Sequence, residues 1–265
     1  MPPARIVLWV ASVAGLALLA RSLLMDPLPM WVAVSSFVAY AALCTVGVLW
    51  PQLEMYGDVE WRAEPGAKTV ALTFDDGPNP KTTRKVLQIL ARGSHRATFF
   101  VVGRKALAHA DVVREIQAAG HEIGVHGHLH DRLYSLKPPK YVAEDIGRAQ
   151  NAVEQAVGLR PTLFRPPVGY LSSRTAAGAK RAGVRTIAWS ARGLDGIGPT
   201  DAEKGYARIE KGLTDGAIVL MHDASEHDDF EPASVEALPR ILEELDDRGL
   251  RAVTVSELLD GDKAG

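Results

Sequence analysis

A chain of 265 residues can hold one large domain or two small ones, and a formal charge of −2 from 30 basic and 32 acidic side chains leaves no basic footprint for nucleic acid. The single cysteine, Cys44, excludes an internal disulfide framework. Apolar residues are distributed unevenly, with the longest uncharged runs at the N-terminus.

Residues 6–20 form an uncharged apolar run, and residues 28–50 form a second of roughly 23 residues, long enough to cross a bilayer. Trp31 and Trp50 near its ends suit interfacial anchoring, and Asp26-Pro27 makes a polar turn between the runs. A transmembrane helical hairpin over residues 1–50 is expected, although the first run is also short enough for a signal peptide. A hairpin leaves the N-terminus and the rest of the chain on one side. Arg21 in the turn, against Arg5, Arg62 and Lys68 on the other side, leans weakly toward a cytoplasmic domain. Residues 51–67, with Gly57, Pro65 and Gly66, read as a polar linker.

From residue 68 the pattern alternates strand and helix. Strands are expected over 68–72, 97–102, 122–126, 163–165, 184–189, 217–221 and 251–255. Helices are expected over 82–92, 105–119, 141–157, 174–182, 202–213 and 235–248. About seven short strands separated by helices predict a parallel sheet with crossover helices, hence an α/β fold. A distorted, incomplete (β/α) barrel over residues 68–260 is the first choice and an open doubly wound sheet the second.

Polar residues fall at one end of these strands. Asp75 and Asp76, His126 and His130, Arg165, Asp195 and His222 all follow expected strand ends, the face on which barrels place chemistry. Adjacent carboxylates repel unless a cation absorbs one charge, although Asp75-Asp76-Gly77-Pro78 could equally be a turn bonded to its own backbone. His126 and His130, at i and i+4, would face the same way on one helical turn. With one carboxylate they make a shell suited to catalytic zinc or to iron(II). Arg165 could orient Asp75, and His222 after a buried strand is a candidate general acid. His128 stays unassigned; His95, His109, His121 and His227 have no spacing argument.

Thr73-Phe74-Asp75-Asp76-Gly77-Pro78, His126 with His130, Arg165-Pro166-Pro167 and Leu220-Met221-His222 resemble the ordered motifs of the polysaccharide deacetylase family (NodB homology, carbohydrate esterase family 4). The resemblance spans residues 68 to about 259 and leaves the hairpin outside. It implies that Asp76, His126 and His130 hold a divalent metal, usually zinc and sometimes cobalt. Asp75 would be the base oriented by Arg165, and His222 the acid tuned by Asp195. Val168 would offer a backbone N–H to the oxyanion, and Leu220 would line the acyl pocket. The implied reaction is hydrolysis of an N-acyl group on an amino sugar, by an enzyme of the cell membrane whose domain is extracytoplasmic as in most of the family. The implied partners are an N-acylated glycan or lipid-linked saccharide and the membrane.

Three positions depart from the family pattern: Gly127 stands for a Ser or Thr, Val168 for a Tyr, and Arg192-Gly193-Leu194-Asp195-Gly196 lacks the usual Trp after its second acid. A changed acyl or sugar pocket is expected at Gly196. Two rival readings differ in class. A silent carbohydrate-binding scaffold would need neither Asp75 nor His222 alongside the ligands. An iron oxygenase would show a jelly roll rather than alternating strands and helices.

Overall fold

The computed structural model describes residues 1–196, 198 and 200–261. Two apolar helices come first, α1 (Pro3–Leu24) and α2 (Met30–Leu49), with almost no residue of either buried. They lie against each other, with Ser12 Oγ and Tyr40 OH 2.9 Å apart.

The remainder is one α/β unit. In order it runs β1 (Thr69–Asp75), α3 (Thr82–Leu90), β2 (Thr98–Val101), α4 (Gly103–Ala108), α5 (Ala110–Ala118), β3 (Glu122–Val125), α6 (Pro139–Val157) and β4 (Leu163–Phe164). It continues with α7 (Ser173–Ala182), β5 (Arg185–Thr186), β6 (Ala191–Arg192), α8 (Ala202–Glu210), β7 (Ile218–His222), α9 (Ala233–Asp247), β8 (Arg251–Val253) and α10 (Val255–Asp260). Every ladder between these strands is parallel, in the order β5-β4-β3-β2-β1-β7-β6. β8 pairs with Thr69–Ala71 at the start of β1, while β2 pairs with the end of the same strand. β5 and β6 are the ends of a curled sheet that does not close, so the incomplete barrel is the observed fold. Part of the gap is spanned from the stretch read as a linker: Glu60 bridges to Ile187 and Arg62 to Ala217.

The period-2 pattern of the strands sorts residues between two cores. Val70, Leu72 and Phe74 of β1, Phe99 of β2, Val125 of β3 and Val219 and Met221 of β7 belong to the core beneath the helices. Ala71, Phe100, Leu163, Ile218 and Leu220 belong to the core inside the curl. Continuing that alternation by one pleat places Asp75, His126, Arg165 and His222 on the inner side at the C-terminal rim.

Three expected elements differ. The helix over 105–119 is two helices, broken at His109, whose backbone is non-helical. The strand over 184–189 shrinks to Arg185–Thr186, because the carbonyls of Ile187 and Ala188 accept from the Arg165 guanidinium rather than from a ladder. The strand over 251–255 stops at Val253, since Thr254 caps α10 in a reciprocal box with Glu257.

Candidate active site

Asp75 ends β1 and is nearly fully buried. Its Oδ1 accepts a 2.8 Å hydrogen bond from Arg165 Nη1, which also donates to Thr73 Oγ1 at 2.7 Å. Arg165 has no exposed surface; its Nε and Nη2 donate to Ile187 O and Ala188 O, and its Cζ lies 4.2 Å from the Phe100 ring centroid. Burial lowers the Arg165 pKa, and the Asp75 charge and hydrogen bond work against that. A carboxylate and a guanidinium therefore neutralise each other inside the curl, and Nε, Nη1 and Nη2 of the guanidinium each have an acceptor.

Asp76 follows with φ +71°, which swings its carboxylate toward the histidine loop. Asp76 Oδ1 lies 3.0 Å from His130 Nε2 and 3.6 Å from His126 Nε2. The Asp76, His126 and His130 ligand atoms are all within 4.8 Å of one another. The helical turn expected for the two histidines is not what forms. They sit on a non-helical loop in which Gly127 (φ +74°) and His130 (φ +55°) are left-handed, and this backbone, rather than the i, i+4 spacing, converges the rings.

The proton positions follow from the partners. His126 Nδ1 is 2.8 Å from the Arg165 carbonyl, which can only accept, so Nδ1 carries the hydrogen and Nε2 turns a lone pair to Asp76. Burial lowers the His126 pKa, consistent with a neutral ring. Burial would also lower His130, but Asp76 and Glu226 outweigh it and raise the pKa. Asp76 is lowered: burial pushes up, and the hydrogen bond and charge of His130, with His222 and His126, prevail. A buried carboxylate converging with two imidazole nitrogens in one pocket is a donor set that fits a divalent cation. Such a cation would compete with the proton on His130.

His222 stands opposite, in register with Asp75 across the β1–β7 ladder. Its Nδ1 is 3.0 Å from Asp195 Oδ1, and its backbone N–H donates to Asp195 Oδ2 at 3.1 Å. Burial opposes a charge on the ring, but Asp195, then Asp76 and Asp75, raise the His222 pKa to about 10. The ring therefore holds a proton at neutral pH on the nitrogen facing the cavity.

A cavity of about 460 Å³ joins these groups, and Val168 and Leu220 are among the residues that line it. Sequence reasoning missed Tyr170, Trp189, Arg132 and Glu226, which also line it. Glu226 Oε1 lies 3.5 Å from His130 Nδ1, and Arg132 holds the other Glu226 oxygen at 2.6 Å. No spacing rule singles out Glu226; its position four residues after His222 on a long loop is a tertiary fact. Among the described residues, seven non-glycine residues have positive φ, and four of them, Asp76, His130, Val168 and Leu194, line this cavity. Such backbone is unfavourable for a β-branched residue such as Val168 and concentrates at working sites.

The structure gives two of the departures a physical reason. A Cβ on Gly127 would sit 3.0 Å from Asp145 Oδ2, the oxygen that accepts the His128 N–H at 2.7 Å. A buried carboxylate on α6 thus steadies the histidine loop. A Cβ on Gly196 would lie 2.3 Å from His222 Nε2, so glycine alone lets the chain pass over the imidazole.

A parallel half-barrel carrying a buried carboxylate–imidazole cluster on its C-terminal rim defines a class of hydrolase. The polysaccharide deacetylase profile matches residues 62–187. A peptidoglycan-N-acetylglucosamine deacetylase of Bacillus cereus is 37% identical over 211 residues, covering 78% of this chain and 96% of that protein. The peptidoglycan-N-acetylmuramic acid deacetylase PdaC of Bacillus subtilis is 32% identical over 75% of this chain, which spans 40% of its length. A family 4 acetyl xylan esterase from Clostridium thermocellum, solved with a cobalt ion, superposes with a TM-score of 0.65 at 31% identity, covering 72% of this chain and 89% of that one. The chain belongs to the polysaccharide deacetylase family and is a hydrolase of carbon–nitrogen bonds.

Proposed function

We propose that this protein is a membrane-anchored, metal-dependent N-deacylase that removes acetyl, or another short acyl group, from an amino sugar of the cell envelope. The observation that carries the reading is the meeting of Asp76, His126 and His130 within 4.8 Å, with Asp75 beside them. Similarity to peptidoglycan N-deacetylases supports the substrate class. Residues 1–50 form the anchor, 51–67 the connection and 68–260 the catalytic domain. The substrates of such relatives favour an extracytoplasmic domain.

Asp76, His126 and His130 would hold a divalent cation, zinc by family resemblance or cobalt in its place, which when bound supplies a Lewis acid and a water of lowered pKa. Asp75, kept in place by Arg165, accepts the proton of the attacking water. The water oxygen bonds to the amide carbon, and the Val168 N–H donates to the oxygen that gains charge. His222 gives its Nε2 proton to the nitrogen as the carbon–nitrogen bond breaks, releasing a carboxylic acid and a free amine. Asp195 on Nδ1 keeps that ring in the donating tautomer. Leu220 and Trp189 bound the space for the acyl methyl.

The test is acetate release from N-acetylglucosamine oligomers by the full chain in detergent, with metal counted by mass spectrometry. Asp75→Asn should lower kcat at least about a thousandfold while metal content stays near one per chain. Wild-type protein that binds glycan but releases no acetate would instead be a silent binder, and some relatives of this fold are described as pseudoenzymes.

A further inference from the structure

The cavity wall runs directly into the helical hairpin. Trp189 and Tyr170 both line the cavity. The Trp189 carbonyl accepts from Gln52 Nε2 at 3.0 Å, and Leu171 N–H, next to Tyr170, donates to Val48 O in the last turn of α2 at 3.2 Å. One residue on, Ser172 Oγ donates to Ser135 O, and Arg174 donates to Leu136 O. The segment around Leu133 and Leu136 is therefore tied to the same end of the hairpin. Apolar side chains on these segments are exposed: Leu129 45%, Leu133 60%, Leu136 63% and Val168 43%, as are Trp50 and Leu53 at the end of the hairpin. Exposed leucines on segments tied to the end of apolar helices long enough to cross a membrane make a surface suited to lipid.

Charge at the mouth adds a separate indication. Arg132 is held by Glu226, but Arg192, 5.7 Å from the Trp189 ring, makes no ion pair among the described residues. An unpaired guanidinium beside an aromatic wall suits an anion, phosphate above all.

We propose that this rim lies in the headgroup layer of the bilayer that holds the hairpin, and that the cleft takes an amino sugar joined through phosphate to a lipid, its phosphate read by Arg192. The inference rests on the deacylase reading and narrows its substrate. A lipid-borne sugar would enter from the layer in which Leu133 and Leu136 are immersed, without leaving the membrane.

The test uses the full chain in phospholipid vesicles, with N-acetylglucosamine linked by phosphate to a polyprenol against chitotetraose in solution. The lipid-borne sugar should be hydrolysed with at least tenfold higher kcat/KM. The double substitution Leu133→Asn with Leu136→Asn should cut that rate at least tenfold and leave chitotetraose within twofold. In a Cys44→Ser background, a fluorophore on Leu136→Cys should be quenched by spin-labelled lipid, and one on Asp247→Cys, near the opposite end of the strands, should not. Equal efficiency on the two substrates, or an unquenched probe at 136, overturns the inference while leaving the deacylase reading intact. Acetate from neither substrate overturns both.

Discussion

Asp195 and Gly196 act on the same imidazole from different sides. Asp195 raises the affinity of His222 for its proton, and the protonated ring is the form that serves a leaving amine. A raised pKa keeps that form present until pH climbs through it, so removing the cause must bring the loss to lower pH. Asp195→Asn should therefore shift the alkaline limb of kcat/KM downward by at least one pH unit, read from a pH–rate profile, with the acid limb unmoved. Gly196→Ala should lower kcat at least about a hundredfold, because its methyl would lie 2.3 Å from His222 Nε2 and displace the ring; unchanged turnover would mean that the loop at 194–196 yields instead. Asp75, Arg165 and His222 could be placed on the rim from the sequence because each ends or directly follows a buried strand. Trp189, Glu226 and Arg132 were not, because loops from different parts of the chain bring them to the cavity. The histidine pair was found for the wrong geometric reason: left-handed backbone at Gly127 and His130 is invisible to a spacing rule.

At the scale of elements, β1 and β7 do more than present the site. Asp223, the residue after β7, is buried with its carboxyl against Gly77 and hydrogen-bonded to Thr83. Burial, partly offset by that bond and by the Lys105 charge, raises its pKa to about 7. A carboxyl raised on folding costs stability progressively as pH rises from its unfolded value, near 4, through 7. Asp223→Asn should raise the thermal midpoint at pH 8, with the gain shrinking toward pH 4; calorimetry at the two pH values reads it. Element types were legible because buried runs and amphipathic stretches alternate so regularly. The missed helix α10 carried a readable signal in Thr254 and Glu257, a capping box, whereas the missed strand β6 is two residues long and exists only through its pairing with β7.

For the whole molecule, a cation at Asp76, His126 and His130 would bind the folded chain alone, so the folded state should depend on it. Chelation from a solution holding metal at a thousand times its dissociation constant should remove about 4 kcal/mol and lower the thermal midpoint by roughly 10 °C, restored by zinc or cobalt. The half-barrel was the sequence's first choice, but the contribution of Glu60 and Arg62 to bridging its open side was not foreseen, since a single bridge residue leaves no periodic trace. Arg165 ties β1 to the Ile187–Ala188 backbone with its side chain and holds His126 with its own carbonyl. Anyone seeking an inert yet intact version of this protein for crystallography or glycan capture should accordingly leave Arg165 alone. Neutralising it would loosen the scaffold together with the chemistry, and a dead variant of that kind could not be told from a misfolded one.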